Sequence, residues 1–330
     1  MRLLDALEAA DCEARLHAPG NPPARRLEEA RRRDGQSLAG GVLWEQVVLP
    51  WRARGAFLVS FTNTAPLLRR RQLAVVHDAA VFAVPDNYSW AFRTWYRVAL
   101  RILLRRAGTV VTDSAFSQQQ LAHYCGVAPS RLTVVHCGSD HLDALQPDAS
   151  ILDRLRLKGE RFILAVGTTS RAKNLAVLLE ALGRHEARGV RLVVAGGMEA
   201  RVFNDNRIPW PSWVTPAGHV TDAELKALYG AALCFVFPSR YEGFGLPPLE
   251  AMRCGCPTVV STAASLPEVC GDAPLYFDPD DAGTLAAHLA NLMEDAALRE
   301  RLREQGRRQA GRYTWDRTAA RYRELIEAAA

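Results

Sequence analysis

The sequence predicts an α/β protein built of two domains, each with a parallel sheet. The chain has 330 residues, about twice the length of a typical domain. Hydrophobic residues make up 48% of it and charged residues 23%, which is typical of a globular protein and excludes a disordered or fibrous chain. Short β-branched or aromatic runs alternate with longer amphipathic stretches, as in strands joined by crossover helices.

The individual elements follow from these two kinds of segment. Short apolar runs predict strands, and apolar residues at helical spacing predict the helices between them. In the first half we expect strands at 57–61, 73–76, 110–112 and 132–135, with helices at 90–106 and 117–125. In the second half we expect strands at 162–166, 192–195, 233–237, 258–260 and 275–277, with helices at 174–186, 222–231, 247–253, 281–294, 297–310 and 315–328.

Composition and charge limit the cellular location of the protein. No apolar run reaches the roughly 18 residues that a membrane-spanning helix needs, and acidic residues stand where a signal peptide would be apolar. We therefore expect a cytoplasmic protein.

The seven cysteines form no zinc pattern, so reduced structural thiols are expected. Residues 1–150 hold 18 Arg and 14 acidic residues, an excess that suits an anionic membrane surface better than nucleic acid, for which no motif is present.

One segment, residues 237–252, combines several features of a ligand site. A buried strand ends at Pro238, a turn with glycines at 243 and 245 follows, and Pro247 stands where the first turn of a helix accepts proline. The glycines permit close backbone approach, and N–H groups at the start of a helix attract a phosphate. Glu242 and Glu250 can each accept hydrogen bonds from hydroxyl groups. A plain strand-turn-helix connection with surface glutamates is the alternative.

This segment resembles glycosyltransferase family 4, whose members are retaining, nucleotide-sugar-dependent enzymes of GT-B fold. In the second half the resemblance rests on the motif around Glu242 and Glu250 and on residues 219–225, 228–229, 255–260 and 265–269; in the first half it rests on residues 43–46, 77–78, 113–117 and 136–140. These stretches are most similar to the O-antigen and exopolysaccharide mannosyltransferase branch, and the resemblance extends from about residue 40 to the C-terminus.

The resemblance implies an architecture. We expect two Rossmann-like domains facing across a cleft: an acceptor-binding domain at 1–147 and a donor-binding domain at 151–312, with the boundary in the polar, proline-containing stretch 146–150. A final helix at 313–330 is expected to cross back to the first domain. Family members begin with a strand and a glycine-rich loop, whereas this chain is expected to start inside the following helix, at 1–10, without that strand.

The resemblance also implies roles for residues of the donor site. Glu242 would contact the transferred sugar and Glu250 the ribose hydroxyls. A departing diphosphate needs fixed positive charge, and Lys173, after a strand and a glycine turn, is the candidate; a solvated lysine is the alternative. Many members have an arginine where this chain has Thr168, and Arg171 is a candidate substitute. The expected donor-binding set is Gly167, Thr168, Arg171, Lys173, Val220, Glu242, Gly243, Phe244, Gly245, Leu246 and Glu250.

In the first half, His77 and Asp78 follow a strand at a position that matches the family. We expect them to help place the acceptor or to stabilise the transition state, so the catalytic set comprises His77, Asp78, Lys173 and Glu242; a structural histidine is the alternative. The family reaction is described as a front-face displacement in which the departing phosphate helps to deprotonate the acceptor. No cofactor is expected. No catalytic metal is expected either: Asp278-Pro279-Asp280 has the spacing of a metal-binding pair but is more simply a turn and helix cap.

One helix permits two interpretations. Arg93, Arg97, Arg101 and Arg105 recur every four residues and form a basic stripe, which could lie on anionic lipid. An ordinary domain helix with its arginines outward explains the same pattern.

The sequence therefore predicts a retaining, metal-independent hexosyltransferase. We expect it to move mannose from GDP-mannose to a lipid-linked or polysaccharide acceptor at the inner face of the cytoplasmic membrane. The alternatives are UDP- or dTDP-sugars in the same fold, and a non-catalytic nucleotide-sugar-binding or assembly subunit. A dehydrogenase is disfavoured because the Gly-x-Gly-x-x-Gly pattern after a strand is missing from the sequence.

Overall fold

The computed structural model describes residues 38–168, 170–183, 190–197 and 210–329. These residues form two compact units. The first ends at Gly138 and includes the helix that begins at Trp315; the second is Ser139–Thr314. The expected helical start at 1–10 lies outside the described residues.

The first unit contains a four-stranded parallel sheet of order β1-β2-β3-β4. Its strands are β1 Leu58–Ser60, β2 Gln72–Val75, β3 Thr109–Thr112 and β4 Thr133–Val134. Its helical segments are Leu38–Leu43, the π-helical Trp44–Val48, Leu49–Arg52, Ala80–Ala83, Pro85–Asn87, Trp90–Arg106, Ala115–Cys125, Pro129–Arg131 and Trp315–Ala329. All four strands were predicted, with no end shifted by more than one residue.

The C-terminal helix of the first unit covers one face of this sheet. Ala319 and Tyr322 are buried with Leu73 and Val75 in one apolar cluster. The hydroxyl of Thr318 also donates to the carbonyl oxygen of His136, at 2.8 Å. A helix far along the chain therefore supplies part of the core of the first unit.

The helix Trp90–Arg106 uses its arginines within its own unit. The Nε of Arg97 donates to the carbonyl of Val81 at 3.0 Å, and Nη2 of Arg105 donates to the carbonyl of Cys125 at 2.6 Å. The guanidinium of Arg101 lies 5.1 Å from the centre of the Phe82 ring. These contacts favour the interpretation as an ordinary domain helix. Across the ranges described, no helix has both the length and the apolar composition needed to cross a membrane.

The second unit contains a six-stranded parallel sheet of order β10-β9-β8-β5-β6-β7. Its strands are β5 Phe162–Val166, β6 Arg191–Ala195, β7 Val214–Gly218, β8 Cys234–Phe237, β9 Thr258–Ser261 and β10 Leu275–Phe277. Its helical segments are Asp140–Leu142, Ser150–Arg154, Arg171–Lys173, Leu175–Gly183, Asp222–Ala231, Leu246–Arg253, Leu266–Cys270, Ala282–Glu294 and Ala296–Ala310.

The sequence did not predict β7. This strand contains Pro216 and Gly218, which disfavour a strand interior. It lies at the edge of the sheet and its register with β6 shifts between Val194 and Ala195. An edge strand tolerates a proline because one side of its backbone needs no partner strand.

The second unit begins earlier than the boundary expected at 146–150. The N–H of Ser139 donates to the carbonyl of Tyr313 at 3.1 Å. The ammonium group of Lys226 donates to the carbonyls of Leu142 and Leu145, each at 2.8 Å. These bonds fix residues 139–145 to the second unit, although their sequence shows no strand or long helix that would have marked them.

Two glycines allow the ends of β5 and β6 to approach closely. Gly196 follows β6 with φ +132°, and a Cβ atom there would lie 2.3 Å from the carbonyl oxygen of Gly167, which follows β5. The N–H of Gly167 donates to the carbonyl of Ala195 at 2.9 Å. Any side chain at position 196 would collide with backbone, so this edge of the sheet depends on glycine.

We predict that Gly196→Ala lowers the free energy of unfolding by at least about 2 kcal/mol, because the added methyl group meets backbone and the φ angle is unfavourable. Gly230→Ala is the matched control. Gly230 is an exposed helical residue, and a Cβ atom added there meets no atom outside its own helix backbone within 4 Å, so this change should be neutral or stabilising by up to about 1 kcal/mol. Urea unfolding of both variants measures the difference, and equal stabilities would contradict the prediction.

Candidate active site

The second sheet has a topological switch point between β5 and β8. From β5 the chain moves outward through β6 and β7 in one direction, and from β8 through β9 and β10 in the other. In an open parallel sheet this arrangement leaves a crevice at the carboxyl ends of the two central strands, where such folds bind ligands. The loop after β5 carries Lys173, and the loop after β8 carries Glu242.

Lys173 and Glu242 form an ion pair at this switch point. The Nζ of Lys173 lies 2.6 Å from Oε1 of Glu242, and the two side chains are 28% and 14% exposed. The same ammonium group lies 5.3 Å from the centre of the Phe237 ring, and the lysine stem packs against Gly167. The structure therefore brings together three residues that the sequence predicted for one site.

The turn after β8 is held by a serine from the next loop. The hydroxyl of Ser265 lies 3.0 Å from the carbonyl oxygen of Glu242 and 2.8 Å from that of Phe244. Gly245 has φ +109°, and a Cβ there would lie 2.7 Å from the side chain of Leu266. The predicted backbone donors at Phe244, Gly245 and Leu246 thus belong to a fixed turn at the start of the helix Leu246–Arg253.

Glu250 is buried in that helix, with 7% of the residue exposed. Its Oε1 lies 2.9 Å from Nε2 of His141, and its Oε2 accepts a hydrogen bond from the hydroxyl of Tyr229 at 3.3 Å. Burial raises the pKa of Tyr229 well above its usual value, and the neighbouring Glu250 charge adds to this shift. Tyr229 is therefore a hydrogen-bond donor to the carboxylate at any ordinary pH.

The remaining predicted donor residues lie in loops of the second unit. Thr168 and Arg171 are exposed in the loop after β5, and Val220 is partly buried after β7. Gly243 lies in the turn between Glu242 and Phe244. Exposure of Arg171 leaves Lys173 as the cation that the structure places beside Glu242.

The predicted turn at 278–280 is present. The carboxylate of Asp278 accepts from the N–H of Asp280 at 2.8 Å, and Asp281 caps the helix Ala282–Glu294. The described portions of the chain contain no group of three or more histidine, cysteine or acidic side chains placed to hold a metal ion. Metal independence stays a prediction.

His77 follows β2 in the first unit and is fully engaged by hydrogen bonds. Its Nδ1 lies 2.7 Å from Oδ2 of Asp113, and its Nε2 lies 2.9 Å from the carbonyl oxygen of Phe61. Its backbone N–H donates to the side-chain oxygen of Asn63 at 2.7 Å. Since both ring nitrogens face acceptors, the arrangement favours the doubly protonated imidazolium.

The charge of this histidine follows from opposing effects. Partial burial lowers the pKa of His77, but the hydrogen bond to Asp113 and the charge of that carboxylate outweigh burial; with smaller contributions from Phe61 and Asp78, they raise the pKa to about 9. His77 is therefore protonated at neutral pH. Asp78 accepts a hydrogen bond from the N–H of Ala80 at 2.7 Å and so shapes the turn before the next helix.

Four residues that hold Glu242, Glu250 and His77 are not among the predicted site residues. Asp113, Tyr229 and Ser265 belong only to stretches that carry the family resemblance, and His141 to none of them. A signal for Asp113 exists, because it follows β3, which neighbours β2, so that both side chains emerge at the same sheet edge. Ser265 and His141 act through contacts between distant loops, which the sequence alone does not indicate.

We predict that Asp113→Asn lowers the pKa of His77 from about 9 to below about 7, since burial then acts without the compensating carboxylate. The folded pKa lies above the unfolded value of about 6.5, so the stabilisation by this pair is complete below about pH 6.5 and disappears as the pH rises through about 9. The ring resonances of His77 in an NMR titration measure the pKa, and unfolding between pH 6 and 10 measures the linkage.

The exposed Asp86 provides a matched control, because Asp86→Asn removes the same charge elsewhere in the first unit. This variant should retain both the pKa of His77 and the loss of stability above neutral pH. A His77 pKa that is the same in wild type and Asp113→Asn would contradict the assignment.

Known proteins resemble both halves of the chain. The family model described as Glycosyltransferase Family 4 matches residues 1–141, and the model described as Glycosyl transferases group 1 matches residues 150–309. The O-antigen chain mannosyltransferase B of Escherichia coli is 33% identical over 256 residues, which are 74% of this chain and 67% of that protein. The serotype-specific mannosyltransferase WbdA of Escherichia coli is 29% identical over 76% of this chain, but the match spans only 32% of that longer protein.

A solved structure agrees with the fold. The sucrose-phosphate synthase of Thermosynechococcus elongatus aligns with a TM-score of 0.74 and 22% identity, over 99% of this chain and 92% of that chain. This likeness confirms the predicted GT-B fold class with its two α/β units. Together with the matched family models and the relative at 33% identity, it shows that the chain belongs to glycosyltransferase family 4, in the branch of the O-antigen mannosyltransferases.

Proposed function

We propose that this glycosyltransferase transfers mannose from GDP-mannose to a lipid-linked or polysaccharide acceptor, with retention of configuration and without a metal ion. The observation that carries the proposal is the Lys173–Glu242 ion pair at the switch point of the second sheet. The pair supports the proposal because a lysine ammonium group suits a diphosphate and a carboxylate suits sugar hydroxyls. A nucleotide sugar needs both groups where its sugar joins its diphosphate.

The ion pair is compatible with a bound donor. An ammonium group has three N–H donors, so Lys173 can keep Glu242 and also donate to a phosphate oxygen. Glu242 has a second carboxylate oxygen, Oε2, which can accept from a sugar hydroxyl. The pair would then hold the sugar and the diphosphate in a fixed relation, and the lysine would stabilise the negative charge of the departing phosphate.

The reaction breaks the bond between the anomeric carbon and the diphosphate oxygen, and forms a bond from that carbon to the acceptor oxygen on the same face. The acceptor proton goes to the departing diphosphate. His77 does not take this proton, because its two ring nitrogens already donate to Asp113 and Phe61. We assign His77 the role of a fixed positive group in the first unit.

The proposed identity of the sugar and of the acceptor is supported by the relatives. Two of them are named as mannosyltransferases, one of the O-antigen chain, which supports mannose and a cell-surface glycan. We place the reaction in the cytoplasm, at the inner membrane face, where a lipid-linked acceptor would be presented. Three large apolar side chains of the first unit are exposed: Leu43 by 65%, Trp51 by 63% and Trp90 by 72%. Such side chains suit contact with a membrane surface better than the hydrogen-bonded arginines of the helix Trp90–Arg106 do.

A turnover assay tests this function. We expect the full chain with EDTA to release GDP from GDP-mannose faster than UDP, ADP or dTDP from their hexose conjugates, and release should increase with a mannose-bearing lipid acceptor. NMR of the product should show the anomeric configuration of the donor. Glu242→Gln should lower the rate by at least about 100-fold, since it removes the carboxylate that orients the sugar. Binding without release in wild type would instead indicate a non-catalytic subunit.

We further predict that Lys173→Ala raises the Kd for GDP at least about tenfold, or about 1.4 kcal/mol, because it removes a charged hydrogen bond to the diphosphate. Isothermal titration calorimetry of the full chain measures this change.

Lys158→Ala is the matched control. Lys158 belongs to the same unit, pairs with Asp153 at 2.7 Å and is 68% exposed, so its removal should leave GDP affinity unchanged. Equal losses in the two variants would mean that general positive charge, rather than the position of Lys173, holds the nucleotide.

A further inference from the structure

We infer that His141 is a positioning residue for ribose recognition, acting through the carboxylate of Glu250. This inference rests on the proposed function, because it requires the nucleotide to bind in the second unit with its ribose on Glu250. It adds a residue from the segment 139–145, which carries no predicted site residue.

The contacts of Glu250 leave one hydrogen-bond acceptor position open on each oxygen of its carboxylate. Oε1 faces Nε2 of His141 at 2.9 Å, and Oε2 faces the hydroxyl of Tyr229 at 3.3 Å. A carboxylate oxygen can accept about two hydrogen bonds, so each oxygen keeps one further position. Two neighbouring hydroxyls, such as the 2′ and 3′ hydroxyls of ribose, match two acceptor positions on one carboxylate.

The histidine has this carboxylate as its partner. Nε2 must carry a hydrogen to donate to Glu250, and the side chain of His141 is 11% exposed. Its other ring nitrogen, Nδ1, is buried and has no hydrogen-bond partner among the described residues. The imidazole is therefore held by packing and by Glu250, and within the described part of the chain no hydrogen bond to Nδ1 competes with that contact.

The loop that carries His141 is fixed on both sides. The guanidinium of Arg253, from the same helix as Glu250, binds the carboxylate of Asp143 through Nε at 2.8 Å and Nη2 at 2.6 Å. Lys226 donates to the carbonyls of Leu142 and Leu145, each at 2.8 Å. Histidine and glutamate therefore belong to one rigid assembly, and a preorganised carboxylate binds hydroxyls at lower entropic cost.

Without the histidine, Oε1 of a nearly buried carboxylate would lose its donor. The carboxylate could then turn about its terminal torsion, which is soft, and would no longer present both oxygens to a diol. The specific consequence is a loss of discrimination between ribose and a sugar that lacks the two hydroxyls. General destabilisation would not produce this change.

The test compares the affinities of GDP, UDP and ADP with those of their 2′,3′-dideoxy counterparts, measured on the full chain by calorimetry. For the nucleotide that wild type binds most tightly, removal of both hydroxyls should weaken binding at least about tenfold. In His141→Leu this ratio should fall to about threefold or less. His141→Gln, which retains an N–H donor at a similar reach, should keep most of it.

His288→Leu is the matched control. The Nε2 of His288 lies 2.9 Å from the carbonyl of Tyr276 in the same unit, so the change also removes a histidine hydrogen bond and should leave the ratio at the wild-type value. If His141→Leu does not fold, His141→Ala removes the same donor without adding apolar bulk, and thermal melting verifies folding of each variant. A wild-type ratio in the donor-less variant would overturn the inference. If wild type binds a nucleotide and its 2′,3′-dideoxy counterpart with equal affinity, the assignment of Glu250 to ribose is wrong instead.

Discussion

The donor site is organised around one interaction, the ion pair between Lys173 and Glu242 at 2.6 Å. The two residues are 69 positions apart in the chain, and they meet because β5 and β8 are neighbours at the switch point of a parallel sheet. The close approach of Gly167 to Gly196 and the bonds from Ser265 to the turn after β8 keep these loops in place. A strand order that put another strand between β5 and β8 would separate the cation from the carboxylate.

The first unit repeats the same principle with a different pair. His77 and Asp113 follow the neighbouring strands β2 and β3, and their side chains meet at 2.7 Å. In each unit a cation and a carboxylate therefore lie at the carboxyl edge of a parallel sheet. The two pairs differ in their capacity to bind a ligand. The Lys173 ammonium group has further N–H donors for a ligand, whereas both ring nitrogens of His77 already contact acceptors of the protein.

The sequence predicted much of this arrangement, and its failures have physical causes. Periodicity located the strands of both sheets except β7, whose Pro216 and Gly218 conceal an edge strand. The motif around Glu242 and Glu250 indicated the donor site because glycines, prolines and carboxylates coincide in a local segment. The partners His141 and Ser265 could not be assigned roles from local pattern, since each acts across a gap of more than twenty residues. The role of Asp113 follows only once β2 and β3 are known to be neighbours. The basic stripe was ambiguous because an exposed arginine and one that donates to a nearby carbonyl have the same spacing.

A crystal structure of the full chain with GDP-mannose would locate the donor. We expect the diphosphate within hydrogen-bond distance of the Lys173 ammonium group, with the mannose hydroxyls on Glu242 and the ribose hydroxyls on Glu250. A donor bound away from the switch point between β5 and β8, or one that leaves both Lys173 and Glu242 without contact, would contradict this expectation.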